Sequence, residues 1–225
     1  MRWPIRASYF STGSGLKAAL ERGGWEEAWL TNTTPWEAGR QSPYLSHLLS
    51  LPHCPFPLNS RVLVPGCGSG HDTLAFATSE KCSSVVGLDL SQTALAHAQR
   101  TISNHPLVTL TLGDFFSHKG SYNAVWDYTF LAALPLSLRP QYAQHTYNLL
   151  HPTGGSLHML LFPVDPTLTT GPPFHMDPGG IGALLTAAGF TRKKDLEPIP
   201  SHLSFKGRQG REVYGCWEAV PRLIE

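Results

Sequence analysis

Val62-Leu-Val-Pro-Gly66-Cys-Gly68-Ser-Gly70-His-Asp72 is the stretch that decides the fold. The run Arg61–Val64 is short, apolar and β-branched, and Pro65-Gly66 closes it, so it reads as a buried strand. Three glycines at alternate positions then make a tight turn on which a ligand can lie against bare backbone, and a helix is expected over about 70–80. Asp89, nineteen residues beyond Gly70, ends a second apolar run, Ser84–Leu88. A carboxylate in that place accepts hydrogen bonds from the two hydroxyls of a ribose. Together these features predict a nucleoside-containing ligand spread across the C-terminal edge of a sheet.

Outward from that turn, strand and helix signals alternate. Ser91 reads as the cap of a helix to about Arg100. Leu107–Leu112, Ala124–Phe130 and Ser156–Phe162 read as strands, with a helix over about Arg139–Leu150. Asp177-Pro178 opens another helix that ends at Gly189, and Thr191–Leu196 and Glu212–Trp217 are the last two strands, close enough for a terminal hairpin. Seven short apolar strands with intervening helices predict an α/β domain, an open sheet covered on both faces. Upstream, Trp25 and Trp29 share a face if Trp25–Leu30 is helical, and Ser42-Pro43 reads as a helix start.

At 225 residues the chain has room for about one and a half domains. The expected division is a flexible tail over 1–22 and a single domain over 23–225, with a Trp-rich cap (23–58) on an α/β core (59–225). Only 15% of residues are charged, and the 17 Lys and Arg are scattered, so a nucleic-acid-coating protein is not expected. The four Cys are far apart, which excludes a disulfide scaffold. Apolar stretches such as Met159–Val164 fall far short of the ~20 residues a bilayer needs. The basic N-terminus faintly resembles a transit segment, yet it is short and carries Pro4, so a cytoplasmic monomer is the expectation.

A dinucleotide site wants G-x-G-x-x-G with a pyrophosphate over the helix N-terminus. Here the third glycine is followed by His71 and Asp72, which puts an anion where the pyrophosphate would sit. That disfavours NAD and FAD and suits a cationic, phosphate-free nucleoside such as S-adenosyl-L-methionine. No P-loop is present. Asp114, in Gly113-Asp-Phe-Phe116, is placed to meet an adenine amino group, with Phe115 packing on the ring. Tyr128, in Trp126-Asp-Tyr128, stands where the donor would face its acceptor. No His/Cys cluster has metal-ligand spacing, so no metal is expected, and Cys67 and Ser69 lack the partners a nucleophile needs.

The blocks GWEEAW (24–29), TPWEAGRQSP (34–43), LVPGCGSGHD (63–72), VVGLDLSQTAL (85–95), GDFF (113–116), WDYTFLAAL (126–134), LFP (161–163) with GPPF (171–174), and GRE (210–212) occur in order. In this combination the sequence resembles the thiopurine/thiol methyltransferase family of S-adenosylmethionine-dependent enzymes, and most resembles its plant and fungal thiol and halide methyltransferase branch. The resemblance implies a Rossmann-like class I methyltransferase fold, a mostly parallel seven-stranded sheet with an antiparallel last strand and a helical N-terminal cap. It also implies that Trp25, Trp29, Trp36, Gly66, Gly68, Asp89, Asp114, Phe115 and Tyr128 line the cofactor site. Pro65 stands where most methyltransferases carry an acid, as in this branch, and two extra residues lie around Ser79–Ser84.

The expected reaction is in-line methyl transfer to a small-molecule thiol, with halide as a second acceptor. An oxygen, nitrogen or selenium acceptor, or a non-catalytic nucleoside-binding regulator, remains as the alternative. A thiolate needs no dedicated base, only alignment, desolvation and a positive or hydrogen-bonding surround. Arg211 is the first candidate for that charge, Arg208 the second, and Phe174 a candidate wall of the acceptor pocket.

Overall fold

The computed structural model describes residues 14–222. In chain order the elements are α1 (Ser14–Leu30), α2 (Pro43–Ser50), β1 (Ser60–Pro65), α3 (His71–Thr78), β2 (Cys82–Asp89), α4 (Gln92–Ile102), β3 (Val108–Leu112) and β4 (Ala124–Tyr128). They are followed by α5 (Phe130–Ala133), α6 (Arg139–Leu149), β5 (Ser156–Leu161), α7 (Pro178–Ala187), β6 (Phe190–Arg192), β7 (Glu197–Pro198) and β8 (Val213–Ala219). The sheet order is β3-β2-β1-β4-β5-β8-β6, parallel from β3 to β5, with β8 antiparallel to both of its neighbours. This is the Rossmann-like class I methyltransferase architecture. The order reverses between β1 and β4, and that crevice is where open α/β sheets bind ligands.

Alternation along β1 divides the core. Val62 and Val64 join Phe56, Phe76, Trp126 and Tyr214 on one face, while Leu63 joins Tyr142, Leu157 and Trp217 on the other. Helix starts follow their caps. Ser42 accepts the Leu45 N–H at 3.3 Å, Ser91 the Ala94 N–H at 2.9 Å, and Asp177 the Gly179 and Gly180 N–H groups.

Three expectations change. Residues 14–22 are helical, not tail: Leu16, Ala19 and Leu20 recur at helical spacing and bury against Ala28 and the cap tryptophans, while 1–13 lie outside the described residues. The helix kinks at Gly23-Gly24, where Gly24 has φ 72°. The single strand expected over 191–196 is split into β6 and the two-residue β7, which pairs with the start of β8. The exposed residues 193–195 (Lys-Lys-Asp) leave the ladder between them. The strand expected to reach Phe130 ends at Tyr128, because Thr129 turns left-handed (φ 76°) and Phe130 opens α5.

Asp127 fixes that turn. Its carboxylate accepts from the Phe130 N–H at 3.0 Å, the Leu131 N–H and the Tyr142 hydroxyl at 2.7 Å. Burial nevertheless pushes its carboxyl up to about 6. A carboxyl at about 3.9 when unfolded then keeps its proton longer in the native state, so stability falls as pH rises from about 4 to 6. Asp127→Asn, which cannot titrate, is expected to flatten that slope by up to about 1.4 kcal/mol per pH unit in urea unfolding. An unchanged slope would remove Asp127 as its source.

Candidate functional site

The turn after β1 is left-handed at Gly66 (φ 58°) and Gly68 (φ 53°), a conformation side chains resist. At Gly68 there is also no room: a Cβ would stand 2.7 Å from Glu37 Oε1 and 3.3 Å from the Trp29 ring. Asp89 closes the turn from β2, accepting from the Gly68 N–H through Oδ2 and the Ser91 N–H through Oδ1, both at 2.9 Å. Burial pushes its carboxyl up to about 6, and the negative charge of Glu37 adds to the effect. Each oxygen accepts one N–H and keeps capacity for a further donor, such as a ribose hydroxyl.

The cap brings together the three tryptophans expected to do so. Trp36 meets Trp25 edge-on at 5.3 Å and Trp29 at 6.2 Å, and Trp29 lies 5.4 Å from the His97 ring on α4. Glu26 anchors α1 over the sheet edge by accepting from the Ser91 and Thr93 hydroxyls, each at 2.6 Å, and from the Thr93 N–H at 3.2 Å. Asp72 is the second anchor. Its Oδ1 accepts the Ser42 N–H at 2.7 Å and its Oδ2 the Trp126 indole N–H at 2.8 Å, so α3 holds the cap and β4 at once.

A cavity lies between the cap loop, the glycine turn and β4, lined among others by Trp36, Glu37, Gly66, Asp72, Tyr128 and Arg208. The Tyr128 hydroxyl donates to buried Glu212, which also accepts from Ser204, and the Tyr128 ring stacks on Phe205. Arg208 packs its guanidinium over Tyr128, Phe162 and Phe205, at 5.0, 4.9 and 5.2 Å from the ring centres. It also donates to the Trp36 carbonyl at 2.7 Å. Arg208, with Arg40 beside it, thus lines this cavity, and the first-ranked Arg211 does not. Turns from Phe205 to Arg211 carry Arg211 away from the lining, where it bonds the Gly207 carbonyl at 2.6 Å and pairs with Asp165 at 3.8 Å.

Two further expectations shift. Phe174 does not line the cavity; it is buried behind it, its N–H on the Ala132 carbonyl at 2.7 Å. Phe115 is not open to stack on a ligand. A 3-10 turn drives its ring into the core against Phe130 and Tyr142, at 5.0 and 5.5 Å. Phe130 in turn abuts Gly66, so Phe115 supports the glycine turn from beneath. Asp114 stays at the sheet edge, capping that turn through the Phe116 N–H. Glu37, Phe205 and Glu212 were not singled out from sequence; Glu37 and Glu212 lay unremarked inside quoted blocks, and Phe205 had no signal.

These residues fit a cationic nucleoside without phosphate. The acids Asp89, Asp72 and Glu37 surround the turn, and Asp72 places a carboxylate in the first turn of α3. Among the described residues no group of three or more His, Cys, Asp or Glu is arranged to hold a metal ion, and no helix is long and apolar enough to cross a membrane.

Comparison with known proteins agrees with this geometry. The sequence model of one family, described as thiopurine S-methyltransferase, matches residues 20–212. Thiocyanate methyltransferase 1 of Arabidopsis thaliana is 34% identical over 210 residues, covering 91% of this chain and 88% of that protein. Probable thiol methyltransferase 2 of the same plant is 34% identical over 208 residues, covering 90% and 88%. A solved S-adenosylmethionine-dependent methyltransferase from Mesorhizobium loti superimposes with a TM-score of 0.59 at 19% identity, over 78% of this chain and 96% of that one, a likeness of fold. S-adenosylmethionine is the cofactor that family and fold together indicate. Asp89→Ala is expected to weaken its binding about tenfold or more in calorimetry, since a buried carboxylate–hydroxyl pair is lost. Unchanged affinity would refute the ribose role.

Proposed function

The chain belongs to the thiopurine S-methyltransferase family and is an S-adenosylmethionine-dependent methyltransferase of small molecules, and on that footing we propose that its acceptor is a thiol taken as the thiolate, with halide as a second acceptor. The observation that carries this reading is Arg208. Its guanidinium lines the cavity among three aromatic rings and has no carboxylate within 4.0 Å among the described residues. A weakly hydrated cation in an aromatic wall favours a small, soft anion over a neutral acceptor. The relatives named for thiocyanate and thiol methylation support the same class.

When bound, the cofactor supplies a methyl group on a sulfonium. What this chain contributes is alignment and dryness. The acceptor would arrive as the thiolate, its proton already lost to solvent, and the chain's own residues would hold it in line with that methyl group. Trp29 and Trp36 cover the turn, while Phe205 and Tyr128 wall the acceptor side, so the pair reacts out of bulk water. An acceptor taken as the thiolate calls for no base. Burial pushes the Tyr128 hydroxyl well above its ordinary range, so it remains a donor to Glu212. Each Asp72 oxygen accepts one hydrogen bond, from the cap backbone at Ser42 and from the Trp126 indole.

Two outcomes follow. With a thiol, kcat/KM is expected to rise about tenfold per pH unit below the thiol's pKa near 8.5, whereas iodide gives a flat profile over the same range. A flat thiol profile, or turnover of a phenol in preference to both, would overturn the assignment. Arg208→Gln is expected to raise KM for iodide about tenfold or more, while Arg211→Gln changes it less than about twofold. The reverse order would return the role to Arg211.

A further inference from the structure

We propose that Glu37 is a donor-binding residue whose carboxylate pairs with the α-ammonium of the methionyl end of S-adenosylmethionine; the inference rests on the cofactor assignment above. Glu37 follows Trp36 in the cap, and its N–H closes a tight turn on the Thr34 carbonyl at 3.0 Å, which aims the side chain at the glycine turn. Oε2 accepts the Ser69 hydroxyl at 2.6 Å. Oε1 stands 2.7 Å from where a Cβ on Gly68 would be, so the second glycine also admits an acid directly onto the turn backbone.

This acid lacks a counter-charge. Arg40 and Arg208 line the same cavity, yet Glu37 forms no ion pair among the described residues. The guanidinium of Arg40 lies over Phe205, and that of Arg208 is committed to its rings and the Trp36 carbonyl. A half-buried carboxylate with one neutral hydroxyl partner is completed by a cationic donor. Position selects which one. Asp89 marks the ribose arm and Tyr128 the acceptor side; the methionyl arm leaves the same sulfur, and Glu37, on Gly68–Ser69, is the acid on the turn left to meet it. Asp72 meets a protein donor on each oxygen and ties the cap to β4, whereas among the described residues only Oε2 of Glu37 has a protein hydrogen-bond donor.

The test is calorimetry of wild type and Glu37→Gln with S-adenosylmethionine, S-adenosylhomocysteine and methylthioadenosine. The second ligand keeps the ammonium and loses the sulfonium charge; the third has neither. Glu37→Gln is expected to weaken the first two alike, by about tenfold or more, and methylthioadenosine by less than about twofold, which also shows the variant is folded. Equal loss for all three would make Glu37 a support of the turn, loss for S-adenosylmethionine alone would place it at the sulfonium, and no loss would remove it from the site. Each of these overturns the proposal. Failure of the wild type to bind S-adenosylmethionine would instead overturn the cofactor assignment beneath it.

Discussion

The buried carboxylate of Asp72 is the point on which cap and sheet agree. It sits in the first turn of α3, directly after the glycine turn, and spends one oxygen on the backbone of Ser42 and the other on the indole of Trp126. Burial raises its carboxyl above the ordinary range, which is the cost of placing an acid there, and the two donors offset it. Trp126 is fully buried, so its N–H has no water to turn to. With Ser42 fixed, the loop back to Trp36 is held at one end; Arg208 holds the other through the Trp36 carbonyl, and Glu26 ties α1 to the start of α4. These polar attachments, with the Ser69 hydroxyl on Glu37, set the height of the tryptophans above the turn, and apolar packing fills what lies between.

Few charges are spent, and each has a place. Acids gather around a backbone turn, and across the cavity the Arg208 guanidinium is wrapped in rings while that of Arg40 lies over Phe205. On the proposed thiolate or halide reading, a cation and an anion become two neutral products, and such a pocket would favour that step without a proton transfer inside it. The neutral hydroxyl of Tyr128, held by Glu212 and Ser204, contributes position without titrating.

Much of this was legible because it is local. The run from Val62 to Asp72 carries strand, turn and helix start within a few residues, and Ser42, Ser91 and Asp177 cap their helices as single residues can. The family blocks pointed to S-adenosylmethionine, and the three tryptophans lie together in the cap. What was not legible depends on distant partners. Residues 14–22 bury only Leu16, Ala19 and Leu20 before the glycine pair, too short a stripe to stand out from a tail. Choosing Arg208 over Arg211 required the turns between Phe205 and Arg211, and each arginine has aromatic and polar neighbours that sequence spacing does not reveal. Phe115 was read as a ligand contact because its block faces the right edge, but the 3-10 turn rotates its ring inward. Glu37 gains its meaning only from a serine 32 positions away.

The attachment of Arg208 to Trp36 spans 172 positions. During synthesis the tryptophan helix leaves the ribosome early, whereas the arginine that closes the wall and the antiparallel strand β8 leave it near the end. Contacts so far apart in the chain form late. The nascent protein is therefore expected to assemble β1 to β3, with Glu26 tied to α4, before the segment that carries Arg208 is made. A partly made chain is a cradle open on one side, with its aromatic cap still unfastened.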